Sequence, residues 1–178
     1  AVPTIIVEQG SSFNLGPFMI EFIAVSHSIP EPNALLITTE AGRVLHTGDW
    51  KLDPTPGVGR ATDVERFKEI GRTGGVDALI CDSTNAMRDG ESPSEADIQE
   101  NLTRLIKAAK QRVAVTAFSS NVARIRAIAL AAEAADRQVV LMGAAMRRVV
   151  DVSRELGYLD GVPAFLSEAE YGYLPRDK

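Results

Sequence analysis

The sequence predicts an α/β chain in two parts: a β-rich segment over residues 1–60, followed by a Rossmann-like parallel α/β domain over residues 61–178. Three observations lead to this prediction. The first part carries strand-like apolar runs separated by turn residues, whereas the second alternates short apolar strands with amphipathic helices. Between them, residues 53–62 contain two prolines and two glycines, which neither a helix nor a strand accommodates easily. We therefore place the domain boundary in this stretch.

The β-rich segment is predicted to contain strands over residues 4–8, 18–25, 34–39 and 43–46. The last two flank Glu40, Ala41 and Gly42, and a glycine can take the positive φ that a tight hairpin turn requires. We therefore expect antiparallel strands in this part of the chain.

Helices and strands alternate in the second part. Helices are predicted over residues 63–70, 92–110, 121–135 and 145–156, and strands over residues 76–81, 112–118 and 138–142. The second helix is predicted to begin with Ser92 as its N-cap, Pro93 at its first position and Glu95 completing a capping box. Gly157 is expected to end the last helix. This alternation predicts a parallel sheet with right-handed crossovers.

A parallel sheet places its functional loops at the carboxyl ends of its strands. Ser119, Ser120 and Asn121 occupy one such loop, directly before a predicted helix. Two hydroxyls, an amide and the free backbone N–H groups of a helix N-terminus favour an anion, so we predict that these three residues bind a substrate phosphate. Serine and asparagine are also preferred N-caps, and capping without a ligand is the alternative.

Composition and charge exclude several classes of protein. A net charge of −5 gives no support for a chain that coats nucleic acid non-specifically, although it does not exclude a site that admits one strand. No apolar run approaches the roughly 20 residues of a membrane span, so we expect no membrane partner. Because Cys81 is the single cysteine, the chain cannot form an internal disulfide, which fits a cytoplasmic location. Cys81 itself is predicted to be a small core residue.

His27 and Asp49 are the candidate metal ligands. Asp49 follows an apolar strand and Gly48, so its carboxylate is expected to project from a strand end. The alternatives are a turn-forming aspartate and a structural histidine. His46 is predicted to lie on the opposite face of its strand from Asp49, in a packing or supporting role.

Five strings in order along the chain resemble the ribonuclease J family, a β-CASP branch of the metallo-β-lactamase superfamily. They are S-H-S-I-P-E at 26–31, H-T-G-D-W-K-L-D at 46–53, C-D-S-T-N at 81–85, T-A-F-S-S-N at 116–121 and G-Y-L at 157–159. The resemblance implies that residues 1–60 form part of a metallo-β-lactamase domain and residues 61–178 most of an inserted β-CASP domain.

The resemblance also implies a function and a site. It implies a metal-dependent ribonuclease that degrades RNA from a 5′-monophosphate end in the 5′→3′ direction and also cuts internally, in RNA processing and decay including that of rRNA. His27 matches a metal-ligand motif, and Asp49 matches the carboxylate that bridges two divalent ions, zinc or manganese. Asp82 matches the acidic residue of the first β-CASP motif, with a catalytic role as a supporting acid or orienting group. RNA is the implied partner, and a homodimer or tetramer the implied full-length assembly.

Two features depart from the family pattern. The only histidines are His27 and His46, so no H-x-H-x-D-H cluster is present, and we expect an incomplete, inactive chain in which neither metal is fully bound. Ala123 stands where many members carry a second β-CASP histidine.

Two other functions compete with the nuclease. One is a non-catalytic Rossmann-like module that binds a nucleotide or a partner chain, although neither G-x-G-x-x-G nor G-x-x-x-x-G-K-[ST] is present. The other is a hydrolase of a small thioester or lactam, which has no need of the long α/β insertion from residue 63 to 156.

Overall fold

The computed structural model describes residues 2–177; Ala1 and Lys178, the outer ends of the two predicted domains, lie outside the described residues. The chain divides into two compact units. The first comprises the residues up to His27, Glu31–Pro54 and Arg60–Ser92, and the second comprises Ser28–Pro30, Thr55–Gly59 and the chain from Pro93 onwards.

The first unit is built on a five-stranded sheet in the order β1-β2-β3-β4-β5. Its strands are β1 (Ser12–Leu15), β2 (Phe18–Ala24), β3 (Asn33–Thr39), β4 (Gly42–His46) and β5 (Ala78–Ile80). The first four form an antiparallel meander, and β5 joins β4 in parallel after the helix α1 (Val64–Arg72).

The β3–β4 turn depends on Gly42, as predicted. Gly42 has a φ of 146°, and a Cβ at this position would lie 2.5 Å from Oδ2 of Asp77. That carboxylate accepts a hydrogen bond from the Arg43 backbone N–H at 2.8 Å. The absence of a side chain at residue 42 therefore allows Asp77 to close this end of the sheet.

Helix α1 packs its apolar side on the sheet. Ile70 of α1 is buried with Ile23, Leu36 and Leu45, and Trp50 packs against this core. Asp63 caps the helix by accepting a hydrogen bond from the Arg66 N–H, and this capping follows the local sequence preference.

The second unit contains three α-helices, α2 (Glu95–Ala108), α3 (Val122–Glu133) and α4 (Ala144–Glu155), and a 3₁₀ helix over Glu168–Tyr173. Its core joins α3 and α4 to the segment that follows α4, through Val122, Ile125, Ala129, Val150, Leu159 and Val162. A buried Glu95 carboxylate at the start of α2 receives two hydrogen bonds at 3.2 Å from Arg124 of α3.

The predicted helices are confirmed, with one cap corrected. Asn121 caps α3, and Gly157 follows α4 with a φ of 79°. Helix α2, however, is capped by Ser94, whose partner in the capping box is Asp97, instead of Ser92 and Glu95. Two overlapping S-x-x-acid patterns occur here, and the structure uses the second.

Several predicted strands are wrong. Residues 4–8 form no strand, and Ile5 and Ile6 are exposed. The first strand is instead Ser12–Leu15, which turns into β2 through Gly16 at a φ of 58°. The turn dipeptide at Gly16 and Pro17 was the available sequence signal for this hairpin.

The predicted α/β class is confirmed, since the structure combines a mixed five-stranded sheet with helices, but no sheet forms among residues 93–177. In place of strands over residues 112–118 and 138–142, the only pairing there is an isolated parallel bridge between Val140 and Leu166. A strand requires a neighbouring strand for its backbone hydrogen bonds, and an apolar run cannot supply that neighbour.

The domain division predicted at residue 60 stays a prediction, and the two compact units divide the chain at other positions. The strand expected over residues 76–81 is β5, and it pairs with β4 in the sheet of the first unit. The first unit therefore extends to Ser92.

No α-helix between residues 2 and 177 combines the length and the apolar character needed to cross a membrane.

Candidate functional site

Three strands of the first unit end at the same edge of the sheet. Because β2 and β4 are both antiparallel to β3, they run in the same direction, and β5 is parallel to β4. His27, Asp49 and Asp82 each follow the end of one of these strands within three residues. The topology thus brings all three predicted site residues of the first unit to one edge, which we call the carboxyl edge.

A pair of buried hydroxyls joins the β2 end to the segment after Asp49. Ser26 and Lys51 form an antiparallel bridge in which the Lys51 N–H donates to the Ser26 carbonyl at 2.9 Å. The Ser26 hydroxyl donates to the Lys51 carbonyl at 2.8 Å, and the Thr62 hydroxyl donates to the same carbonyl at 2.7 Å. The Ser26 N–H in turn donates to the Thr62 hydroxyl at 2.9 Å. These contacts connect the backbone that precedes His27 to the backbone that follows Asp49.

Thr47 joins the Asp49 turn to the Asp82 loop. Its side chain lies almost fully inside the protein, and its N–H donates to the Ile80 carbonyl at 3.0 Å. Its hydroxyl accepts a hydrogen bond from the Asp82 N–H at 3.1 Å and donates to the Gly48 carbonyl at 2.8 Å. One threonine therefore contacts β5, the Asp82 backbone and the turn that leads to Asp49.

His46 supports this turn without being packed in the core. The Gly48 N–H donates to Nδ1 of His46 at 3.1 Å, and His46 is exposed. Gly48 has a φ of 59°, in the left-handed region that favours glycine. The packing role predicted for His46 is wrong, and its supporting role at the candidate site stays a prediction.

Asp82 is an ionised carboxylate at neutral pH. Its Oδ1 accepts hydrogen bonds from the hydroxyl and the backbone N–H of Thr84, and these bonds lower the pKa of Asp82 from its ordinary value. His27 makes a smaller electrostatic contribution that also lowers the pKa of Asp82. A carboxylate that stays ionised is suited to accepting hydrogen bonds and orienting a cation, and is unsuited to donating a proton.

The residues at the carboxyl edge fit a divalent metal in type but not in number. Imidazole and carboxylate groups suit zinc and manganese. Among residues 2–177, however, no group of three or more His, Cys, Asp or Glu side chains is placed to hold a metal ion. A catalytic zinc site uses about three protein ligands, so these residues do not fit a complete site and we derive no catalytic step through a metal.

The loop before α3 in the second unit supports the capping interpretation of Asn121. Its side-chain oxygen accepts a hydrogen bond from the Arg124 N–H at 2.9 Å, as an N-cap does. Ser119 is half-buried and Ser120 is exposed. Ala123, where a histidine was expected, is buried in the first turn of α3.

Cys81 does not occupy the core. It is exposed at the end of β5, and its thiol donates to the Asp82 carbonyl at 3.3 Å. The three residues of β5, the last strand in the order, are all exposed. An apolar run was therefore insufficient to predict burial here.

Comparison with known proteins identifies the family. Ribonuclease J of Sinorhizobium meliloti is 55% identical to this chain over 177 residues, and ribonuclease J of Corynebacterium glutamicum is 48% identical over 153 residues. A family model described as the β-CASP domain of ribonuclease J matches residues 110–178. The chain belongs to the ribonuclease J family.

The chain spans only part of its ribonuclease J relatives. It covers 31% of the Sinorhizobium meliloti protein and 21% of the Corynebacterium glutamicum protein. A crystal structure of a protein of unknown function from Enterococcus faecalis V583 shares the fold, with a TM-score of 0.64 at 19% sequence identity. That match covers 95% of this chain and 42% of the solved one.

Sequence reasoning missed the hydroxyl-bearing residues that support the backbone at the carboxyl edge. Ser26 and Thr47 lie inside the strings that carry the family resemblance, directly beside His27 and close to Asp49. Their position next to candidate ligands was a usable signal. Thr62 lies outside every string, and its contacts with residues 26 and 51 cannot be read from the local sequence.

Proposed function

We propose that this chain supplies part of a metal-dependent ribonuclease that degrades RNA from a 5′-monophosphate end in the 5′→3′ direction and also cuts internally. The observation that carries the proposal is the convergence of His27, Asp49 and Asp82 at the carboxyl edge of one sheet. Membership of the ribonuclease J family supports the choice of RNA as substrate. RNA processing and decay, including that of rRNA, in the cytoplasm is the corresponding cellular role.

Each residue has a defined part in the proposal. In the complete ribonuclease, His27 and Asp49 would contribute an imidazole and a carboxylate to a site for divalent ions, zinc or manganese. Bound there, such ions would supply activation of a water molecule and stabilisation of charge on the phosphate. Asp82 is the catalytic-site carboxylate that stays ionised and orients a neighbouring cation or donor.

The candidate phosphate contacts are residues of the second unit. Ser119 and Ser120 offer hydroxyl groups, and Asn121 offers its side-chain amide group in addition to its capping bond. In the full-length protein we propose a homodimer or a tetramer.

The chain of 178 residues is proposed to be inactive by itself, because His27 and Asp49 are too few to retain a catalytic metal. The test compares this chain with its complete reading frame on a 5′-monophosphorylated RNA with manganese present. We expect activity only from the complete reading frame. Equal activity from both, or tight binding of two manganese ions by the 178-residue chain, contradicts the proposal.

A substitution at Asp49 tests the site itself. Asp49→Asn in the complete reading frame keeps the side-chain shape and removes the charge, and we expect activity to fall by at least about 100-fold. Asp151→Asn, an exposed aspartate on α4, serves as the matched control and is expected to leave activity unchanged. Equal activity in the two variants would exclude Asp49 as a ligand.

A further inference from the structure

We propose that Thr47 is a positioning residue whose hydroxyl sets the Asp82 loop against the turn that carries Asp49. The proposal rests on the proposed ribonuclease function and deepens it. Thr47 is 5% exposed and lies between His46 and Gly48, two residues before Asp49. It touches neither metal nor RNA in this proposal and acts through its neighbours.

The geometry requires a hydroxyl at this position. The Thr47 oxygen accepts the Asp82 N–H at 3.1 Å and donates its own hydrogen to the Gly48 carbonyl at 2.8 Å. A single group must accept from one loop and donate to the other, and only a hydroxyl does both at this size. Valine has the same shape and can do neither.

The backbone of Thr47 strengthens the connection. Its N–H donates to the Ile80 carbonyl at 3.0 Å, which continues the parallel pairing of β4 and β5 by one residue. The parallel pairing thus brings the ends of β4 and β5 together, and the hydroxyl then fixes the loops that leave them. The Asp82 carboxylate accepts hydrogen bonds from Thr84 within its own loop, and the Thr47 hydroxyl connects the backbone of that loop to the end of β4.

Thr39 provides a matched control in the same sheet. Its hydroxyl accepts from the Ala41 N–H at 3.2 Å and donates to the Gly42 carbonyl at 3.3 Å. It therefore makes the same two kinds of hydrogen bond as Thr47, but at the β3–β4 turn, where β4 begins and not where it ends.

The first test measures kinetics in the complete reading frame, on a 5′-monophosphorylated RNA with manganese. For Thr47→Val we expect kcat to fall about 10- to 100-fold, the usual effect of removing a residue that orients a catalytic group, while KM stays unchanged. Thr47→Ser is expected to restore kcat, and Thr39→Val to leave it unchanged. An unchanged kcat in Thr47→Val, or the same loss in Thr47→Val and Thr47→Ser, would overturn the proposal.

The second test needs no enzymatic activity and separates this proposal from the proposed function. Amide hydrogen exchange at Asp82 is measured in the same variants by NMR. We expect about five- to tenfold faster exchange in Thr47→Val, as for the loss of one neutral hydrogen bond, and no change in Thr39→Val. If the unmodified protein does not cleave RNA, the proposed function fails, and amide exchange alone then decides whether Thr47 is a positioning residue. Equal exchange rates at Asp82 in Thr47→Val and in the unmodified protein refute the positioning role.

Discussion

Thr62→Val removes the hydroxyl that connects the β2 end to the segment after Asp49, while keeping the shape of the side chain. In the unmodified chain, Thr62 is 8% exposed and its hydroxyl accepts the Ser26 N–H and donates to the Lys51 carbonyl. Valine leaves the Ser26 N–H buried without its acceptor. The Lys51 carbonyl keeps its bond from the Ser26 hydroxyl, so it is less affected.

The magnitude follows from these contacts. A buried N–H that loses its partner costs about 1–3 kcal/mol, and the partly compensated carbonyl adds about 0.5 kcal/mol. We therefore expect Thr62→Val to lower the free energy of unfolding of the first unit by about 1.5–3.5 kcal/mol. Thr62→Ser keeps the hydroxyl and is expected to cost less than about 1 kcal/mol, because it loses one methyl group.

The assay uses the single tryptophan. Trp50 packs against the core of the first unit, so its fluorescence reports the unfolding of that unit during a urea titration. With a slope of about 2 kcal/mol per molar urea, the midpoint for Thr62→Val should fall by about 0.8–1.8 M. Midpoints of Thr62→Val and Thr62→Ser that agree within about 0.2 M would refute the reasoning, because the hydroxyl would then contribute nothing measurable.

Two further predictions concern the pKa of Asp82 and two glycines. Thr84→Ala should raise the pKa of Asp82 towards its ordinary value in a ¹³C NMR titration, whereas Thr84→Ser should not, because the Thr84 hydroxyl is the largest cause of the lowered pKa. The stabilisation from that hydrogen bond is present above the pKa of Asp82 in the unfolded chain, and it is lost as pH falls through the lower pKa of the folded chain. Thr84→Ala should therefore be less stable than the unmodified protein at pH 7 and approach its stability in acid. Gly42→Ala should lower the thermal midpoint of unfolding followed by Trp50 fluorescence, because the new Cβ would lie 2.5 Å from Asp77 Oδ2. Gly71→Ala, inside α1, should instead raise the free energy of unfolding by up to about 1 kcal/mol. Changes of the same sign in the two variants would contradict this prediction.

The helices were predictable because their determinants are local. Asn121 and Gly157 act within one helical turn of the ends that they mark. The strands β2, β3 and β4 were also close to prediction, since short turns place each next to its sequence neighbour. In contrast, the placement of β5 depends on pairing with β4, more than 30 residues away, and apolar character alone does not specify that partner.

The candidate site likewise has features that depend on local sequence and features that depend on distant residues. The identities of His27, Asp49 and Asp82 came from short strings, and strand direction explains why such strings share one edge. The groups that hold them depend on contacts between distant residues: Thr47 meets the backbone of Asp82 across 35 positions, and Thr62 meets Ser26 across 36. The residue type shows which functional group a side chain carries. The orientation of that group depends on hydrogen bonds that exist only after the sheet has formed. Substitution of these hydroxyls therefore tests the part of the site that the sequence cannot provide.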